Sequence, residues 1–442
     1  MTKKLILLEL NEINFDLAKK YLASDAEYRF ANLRKLIDEF SSIDTFAEKK
    51  YENLEPWIQW VSVQTGKLFK DHQVFRLGDI VSNRQLNQFF EEIENNRYKV
   101  GAMSPMNAEN RLKNSAYFIP DPWTDTESDC TPFSKRLTSM LRQSVNDNAK
   151  GSLTLASIFT LFESFIRTFH IRRTSYLIKL VFSVIRSPWK KSLVLDYLIH
   201  LIHLKLFRSK KPDFSSVFFN AGAHIQHHYF FNSKYVDTSL QNPTWYINQN
   251  ADPIADMLEV YDKILGDYLS ILDKDTKIMI ATGLQQVPYD FVKYYYRLSD
   301  HNNFLKKIGI KFQKVLPRMT RDFEIIFDQE NDMNDAIKAL ESVKSIKDDI
   351  YIFGEIEVRD KSLFVTLTYP HEIKQEDQLE ANGELMSFYD EVVFVAIKNG
   401  MHDSIGYAYF SKNMGVEGSV KSIHVSKLHD IIMKNFPKRV SG

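Results

Sequence analysis

Three imidazoles fall within five positions of "NAGAHIQHHYFF", residues 220–231: His224, His227 and His228. They follow directly on the apolar run "FSSVFF", where a strand hands over to a helix. On a helix His224 shares a face with His227 and His228, at spacings of three and four. Imidazole serves as a metal ligand or as a general acid or base near neutral pH, and clustered histidines are also common as surface or satisfied core groups. A second chemical signal is Glu55 in "YENLEPWIQWVSVQTG". Pro56 suits the first turn of a helix and holds Glu55 extended, at the cap position. A carboxylate there feels the positive helix end and stays ionised. Glu55 is therefore a base, nucleophile or ligand rather than an acid, or a simple helix stabiliser. Trp57 beside it is a substrate-binding candidate that also reads as core. Arg318 and Arg321, in "PRMTRDF", offer guanidinium forks that match phosphate; a surface ion pair with Asp322 or its neighbours is the plainer reading.

Groups so far apart in sequence need a scaffold that brings them together. The runs "KLILLEL" (4–10), "YKVGAMS" (98–104), "SSVFFNA" (215–221), "KIMIATG" (277–283) and "EVVFVAI" (391–397) are short, apolar and bounded by polar residues. They predict an α/β fold with a central, mostly parallel sheet flanked by helices. In such sheets the site lies beyond the carboxyl ends of the strands. Glu9, Asn11 and Glu12, then Asn220 and His224, then Thr282, then His402 and Asp403 stand at those ends. The chain divides into 1–150 and 213–310 of the α/β core, a basic helical insertion over 151–212, a small α+β insertion over 311–385, and the rest of the core over 386–442. The helical insertion interrupts its apolar positions with Arg and Lys almost without acids. It reads as a cap, or as a surface that meets anionic lipid through Arg172, Arg173, Lys190 and Lys191. "YFIPDPWTDT" (117–126) reads as a buried loop or as an aromatic lining for a sugar.

The 442 residues carry 57 Lys+Arg against 57 Asp+Glu, a balance that argues against nucleic-acid binding by bulk charge. The one cysteine, Cys130, excludes an intramolecular disulfide and suits a reducing compartment. "MTKKLILLEL" is too short in its apolar run for a signal peptide and reads as a buried strand. No run reaches the roughly 18 to 20 apolar residues of a membrane span. The expected location is cytoplasmic, with membrane association on the cytoplasmic face through the helical insertion.

"LILLELNEINFDLAKKYL", "FANLRKLI", "WVSVQTGKLFKDH", "AHIQHHYF" and "MHDSIGYAYFSKNMGVEGSVKSIHVSKLHDII" together resemble the alkaline phosphatase superfamily, in particular its type I phosphodiesterase and nucleotide pyrophosphatase branch. The resemblance covers the N-terminal third, the histidine segment and the C-terminal fifth, and it implies a two-metal phosphoester site. Position by position, the strand-1 Asp falls on Asn11 and the nucleophile on Glu55 or Pro56. The Asp-x-x-x-His element falls on Ala223 and His227, and the late His on His402. Where an Asp-His-Gly element should follow "KIMIA", the chain has "TGLQQ", with Gly283 and Leu284 in place of ligands. One metal position thus keeps only Asn11 and Glu55; the other keeps His227 and His402, helped by Asp403, His224, Glu9 or Glu12. The resemblance implies one divalent ion, zinc or manganese, or none.

Three functions follow as expectations. The first is phosphoryl or glycosyl-phosphate transfer or hydrolysis in bacterial surface-polysaccharide assembly, on a sugar-phosphate, nucleotide-sugar or lipid-linked glycan. There Glu55 is nucleophile or base, His227 and His402 are acid/base groups or ligands, Asn11 is an oxyanion donor, and Arg318, Arg321, His224 and Trp57 bind substrate. The second is glycosyl transfer or hydrolysis by Glu55 with Glu9 or Glu12 as second carboxylate. The third is an inactive binding or scaffold protein.

Overall fold

The run Lys4–Leu10 is apolar on both faces except for Lys4 and Glu9, and a strand of that kind is stable only when covered on both sides. In the computed structural model, which describes residues 4–26, 28–146, 154–318, 321–416 and 422–439, it lies at the middle of an eight-stranded sheet. The strands are β1 (Lys4–Leu10), β2 (Ser41–Phe46), β3 (Val100–Met103), β4 (Tyr117–Ile119), β5 (Phe214–Phe219), β6 (Thr276–Ala281), β7 (Ile405–Phe410) and β8 (Ser422–His424), in the order β8-β2-β7-β6-β1-β5-β3-β4. β1 is parallel to β5, with Leu5 opposite Phe214, and to β6, with Lys4 opposite Thr276. Only β7 runs against its neighbours, pairing antiparallel with both β2 and β6.

That reversal matters for the site. Seven strands deliver their carboxyl ends to one edge, and β7 begins at that same edge, so residues just before Ile405 arrive beside those just after β1, β5 and β6. α1 (Pro56–Thr65) and α5 (Ala221–Tyr229) position side chains there; α2 (Leu155–Arg167), α3 (Ile171–Ser183), α4 (Lys190–Lys210) and α6 (Pro253–Leu269) are further helices of the same body. α1 packs on one face of the sheet, over a core that includes Leu5, Leu7, Trp60, Phe89, Phe214 and Phe410. α4 packs against β5, and α5 and α6 pack with it.

These elements belong to a unit formed by Met1–Ser239, Ile247–Pro288 and Gly400–Gly442. The second unit, Leu240–Tyr246 with Tyr289–Asn399, carries a four-stranded antiparallel sheet of Phe353–Arg359, Ser362–Leu367, Asp322–Ile326 and Lys314–Pro317. Its own core includes Phe304, Phe323, Ile325, Leu340, Leu363 and Val365. It is an α+β body, as expected, but wider than 311–385.

Two assignments change. "EVVFVAI" is no strand of the central sheet: Val392–Asp403 pairs with Gln285–Leu298 in a separate two-stranded ribbon. Its apolar character comes from Val392 and Ile397, which are buried in the core of the second unit. The basic insertion also divides. α4 is an interior helix, with Leu193, Tyr197, Leu201, Leu204 and Phe207 buried. Its two histidines mimic an exposed stripe but are inside and hydrogen-bonded. His200 Nε2 meets Asp267 at 2.9 Å, and His203 meets the Tyr268 hydroxyl and Ser215 Oγ, each at 2.6 Å. Two of the sequence's proposed lipid contacts are likewise paired: Arg173 forks onto Asp267 with two contacts of 2.7 Å, and Lys190 meets Asp256 at 2.8 Å.

"YFIPDPWTDT" supplies β4 and a buried turn. Asp121 accepts from the backbone N–H groups of Asn107, Trp123 and Thr124, which makes this a structural corner rather than a sugar lining. Beside it, a Cβ on Gly101 would lie 2.5 Å from the ring of Tyr117. That ring is held by the Tyr117 hydroxyl on Ser215 Oγ, at 2.6 Å. Gly101→Ala is therefore expected to destabilise the protein by about 1–3 kcal/mol through overpacking, read as a lower urea midpoint at unchanged slope.

Candidate active site

The residues after β1 build the centre. Glu12 takes a left-handed backbone, φ 61°, as the chain turns off the strand. Its N–H donates to the Thr282 carbonyl at 3.0 Å, and its own carbonyl accepts from Gln286 N at 3.2 Å and Gln226 Nε2 at 2.8 Å. The strained turn is thus fixed from β6 and from α5 at once.

The Glu12 side chain, almost fully buried, ends between two imidazoles. Its Oε2 is 3.2 Å from His227 Nε2 and 3.2 Å from His402 Nε2. The two rings stand at 70° with centroids 5.1 Å apart. Gln286 Nε2 donates to the same Oε2, while Asn11 Nδ2 donates to Oε1 at 2.9 Å. Burial alone would raise the Glu12 carboxyl, but the charges and hydrogen bonds of His402 and His227 outweigh it and hold the group well below the usual carboxylate range. Glu12 is an anion faced by two amides and two imidazoles.

On the far side of His402, Nδ1 lies 3.7 Å from Glu55 Oε2. Glu55 caps α1 with an extended backbone, φ −89° and ψ 135°, but makes no capping hydrogen bond with its side chain. Its carboxylate turns toward His402 instead. His402 therefore stands between two carboxylates, one at each ring nitrogen.

Asn11 is a brace. Its Oδ1 accepts from the buried Trp60 Nε1 at 2.8 Å, and its amide donates to Glu12 Oε1 and to Asn220 Oδ1, both at 2.9 Å. An amide has two N–H donors, and both are spent, so the expected oxyanion role of Asn11 is withdrawn. Glu9 also leaves the candidate list. It is fully buried within β1, three residues before Glu12, with Oε2 lacking a hydrogen-bond partner among the described residues. Burial pushes its carboxyl up to about 8, which makes it neutral at pH 7 and unfit as a nucleophile.

Asp403 accepts from Gln285 Nε2 at 2.8 Å and is not in the cluster; the carboxylate there is Glu12. His224 is exposed on α5 and packs edge-on against His228, 4.9 Å between centroids. Trp57 gives its N–H to the Phe75 carbonyl at 3.0 Å and packs on the core. Arg318 and Arg321 belong to the second unit, where Arg318 pairs with Glu324 and Arg321 lies over the Tyr295 ring, 4.7 Å from its centroid. Of the residues singled out in the sequence, the structure brings His227, His402 and Glu55 together around Glu12. Gln286 escapes notice in the sequence, because "TGLQQ" lacks charged groups, and Glu12 stands there only as one of several helpers at the His227 and His402 position or as a second carboxylate for Glu55.

No protein-family model and no curated protein matches the chain. Solved structures do. The chain is similar to human ectonucleotide pyrophosphatase / phosphodiesterase 5, at 10% identity over 100% of this chain and 96% of that one, with a TM-score of 0.42. It is similar to phosphonoacetate hydrolase from Sinorhizobium meliloti 1021, at 9% identity over 98% and 96%, TM-score 0.43. It is similar to alkaline phosphatase from the Antarctic bacterium TAB5, at 8% identity over 100% of both chains, TM-score 0.41. Similarity at this level leaves the chemistry to be read from the chain's own residues.

Those residues suit one divalent cation. Among the described residues, the ligand atoms of Glu12, His227 and His402 lie within 4.8 Å of one another. Tetrahedral ligands at about 2.0–2.1 Å from zinc stand about 3.3 Å apart, close to the two spacings of 3.2 Å from Glu12 Oε2. Two imidazoles and a carboxylate, with a fourth position left over, are the donor set of a catalytic zinc and also accept manganese. Asn11 and Gln286 would orient the carboxylate, and Glu55 would face the remaining nitrogen of His402, as supporting groups do around metal ligands.

Proposed function

We propose that the chain is an enzyme of phosphoester chemistry, hydrolysing or transferring a phosphoryl or glycosyl-phosphate group with a single divalent cation held by Glu12, His227 and His402. The observation that carries this reading is the meeting of these three groups, from the end of β1, from α5 and from the approach to β7, at the carboxyl edge of one sheet. A cation held there by Glu12, His227 and His402 would polarise a phosphoryl oxygen and offset charge in the transition state. Glu55, on the exposed side of His402, takes the proton of the attacking water or hydroxyl. Asn11, itself braced by Trp60, and Gln286 hold the Glu12 carboxylate in place.

Glycosyl transfer by paired carboxylates is the weaker reading. Glu9 is neutral, and Glu12 is clasped by two imidazoles and two amides, so neither offers Glu55 a free second carboxylate. Sugar phosphates, nucleotide-sugars and lipid-linked glycans, the substrates that the sequence resemblance implies, form the panel to screen with manganese and with zinc, alongside a generic aryl phosphodiester. Glu55→Gln should lower turnover about 100-fold or more, the usual worth of a general base, with an unchanged circular dichroism spectrum. A fully active Glu55→Gln variant would remove its role. Absence of turnover across the panel with either metal would overturn the reading in favour of a binding protein.

A further inference from the structure

α2 is built inside out. The residues it buries are Ser157, Thr160 and Ser164, while Leu155, Ile158, Phe159, Phe162 and Ile166 face solvent. Phe159 is 59% exposed and Phe162 61%, where a helix packed on a globular body would turn such residues inward. α3 buries Leu177 and Leu180 but leaves Phe182 68% exposed near its end, and Ile185 just beyond it is 80% exposed. Scattered single apolar residues need no explanation, but a continuous stretch of this kind marks an interaction surface.

Charge indicates what meets it. Residues 154–191 hold seven Lys and Arg and one acid, Glu163. That acid is covered by Arg136 and Arg167, at 2.6 and 2.8 Å. Where the segment turns between α2 and α3, a cleft of about 310 Å³ opens against α4, lined by Arg167, His170, Arg173, Lys205 and Arg208 among others. It shares no residue with the Glu12–His227–His402 cluster. Arg167 and Arg173 are paired, but Lys205 and Arg208 stand exposed at the rim. None of the described helices is long and apolar enough to cross a membrane.

We propose that α2 and α3 dock the protein on an anionic lipid bilayer, with the aromatic and aliphatic face entering the headgroup–acyl boundary and the cationic cleft receiving a lipid phosphate. Surface-bound amphipathic helices combine this pair of features, buried apolar area and attraction to anionic headgroups. The proposal is independent of the chemistry assigned to the active site, and its test uses no turnover.

The test is sedimentation of the full chain with sucrose-loaded vesicles of phosphatidylcholine alone and of phosphatidylcholine with phosphatidylglycerol. Wild type should pellet with the mixed vesicles and stay largely in solution with the neutral ones. Phe159→Ser/Phe182→Ser, both at exposed positions, should weaken partitioning about tenfold or more. Lys205→Gln/Arg208→Gln should erase the preference for anionic over neutral vesicles. Wild type that ignores anionic vesicles overturns the proposal, as does pelleting that survives the phenylalanine substitutions. A dimer in light scattering that Phe159→Ser/Phe182→Ser dissolves, without vesicle binding, would assign the face to a second copy and overturn it equally.

Discussion

Glu12→Gln is expected to lower turnover about 1,000-fold or more and to release the bound cation, while leaving a folded protein. Two effects add. The first is loss of the only anionic ligand between His227 and His402, and cation stabilisation of a phosphoryl transition state amounts to several kcal/mol, each 1.36 kcal/mol of which is tenfold in rate. The second is local. Asn11 Nδ2 and Gln286 Nε2 both donate to the Glu12 carboxylate, one to each oxygen. A glutamine offers one acceptor and one donor in their place, so one buried N–H is set against another, at a cost of about 1–3 kcal/mol. A lower melting temperature with a retained spectrum, together with lost turnover, is the combined signature. Retained turnover would show that Glu12 only orders the turn after β1.

The second large effect is on stability and comes from Glu9. Its carboxyl titrates near 8 in the folded protein against an ordinary value of 4.5. Below about pH 4.5 it is protonated in both the folded and the unfolded chain and contributes no pH dependence. Between 4.5 and 8 the unfolded chain sheds a proton that the folded chain keeps, so stability falls by about 1.4 kcal/mol per pH unit as pH rises. Above 8 the penalty is constant. Glu9→Met fills the same space without the charge. It should remove this slope, so that between pH 5 and 8 the variant gains about 4 kcal/mol on wild type. Chemical denaturation at the two pH values checks this; parallel pH profiles for the two proteins would mean that Glu9 is ionised or solvated in the folded state.

Much of this was legible in the residues. Short apolar runs such as "KLILLEL" and "FSSVFF" point to buried strands, and their order along the chain places the polar residues that follow at one edge. Pro56 after Glu55 fixes a helix start, and the helix is there. What could not be read is which polar groups stay inside as partners of one another. His200 and His203 look like the polar stripe of a surface helix, yet each is paired in the core. Glu9 and Glu12 lie three residues apart in one strand and turn, yet one is neutral by burial and the other anionic because two imidazoles face it. Arg318 and Arg321 have the right chemistry for phosphate, but the fold commits them to Glu324 and Tyr295. Partner choice depends on long-range packing, which spacing along the chain does not encode. The reversed strand β7 was equally hidden, because nothing in "IGYAYF" states its direction, and it is that reversal which brings His402 to Glu12.

The most direct measurement is the metal content of the purified, tag-free protein beside His227→Ala/His402→Ala. The site described here predicts close to one equivalent of zinc or manganese in wild type after exposure to either ion, and loss of that equivalent in the variant. A wild-type protein that turns over a phosphoester without bound metal, or a variant that keeps its equivalent, would contradict a cation at Glu12, His227 and His402.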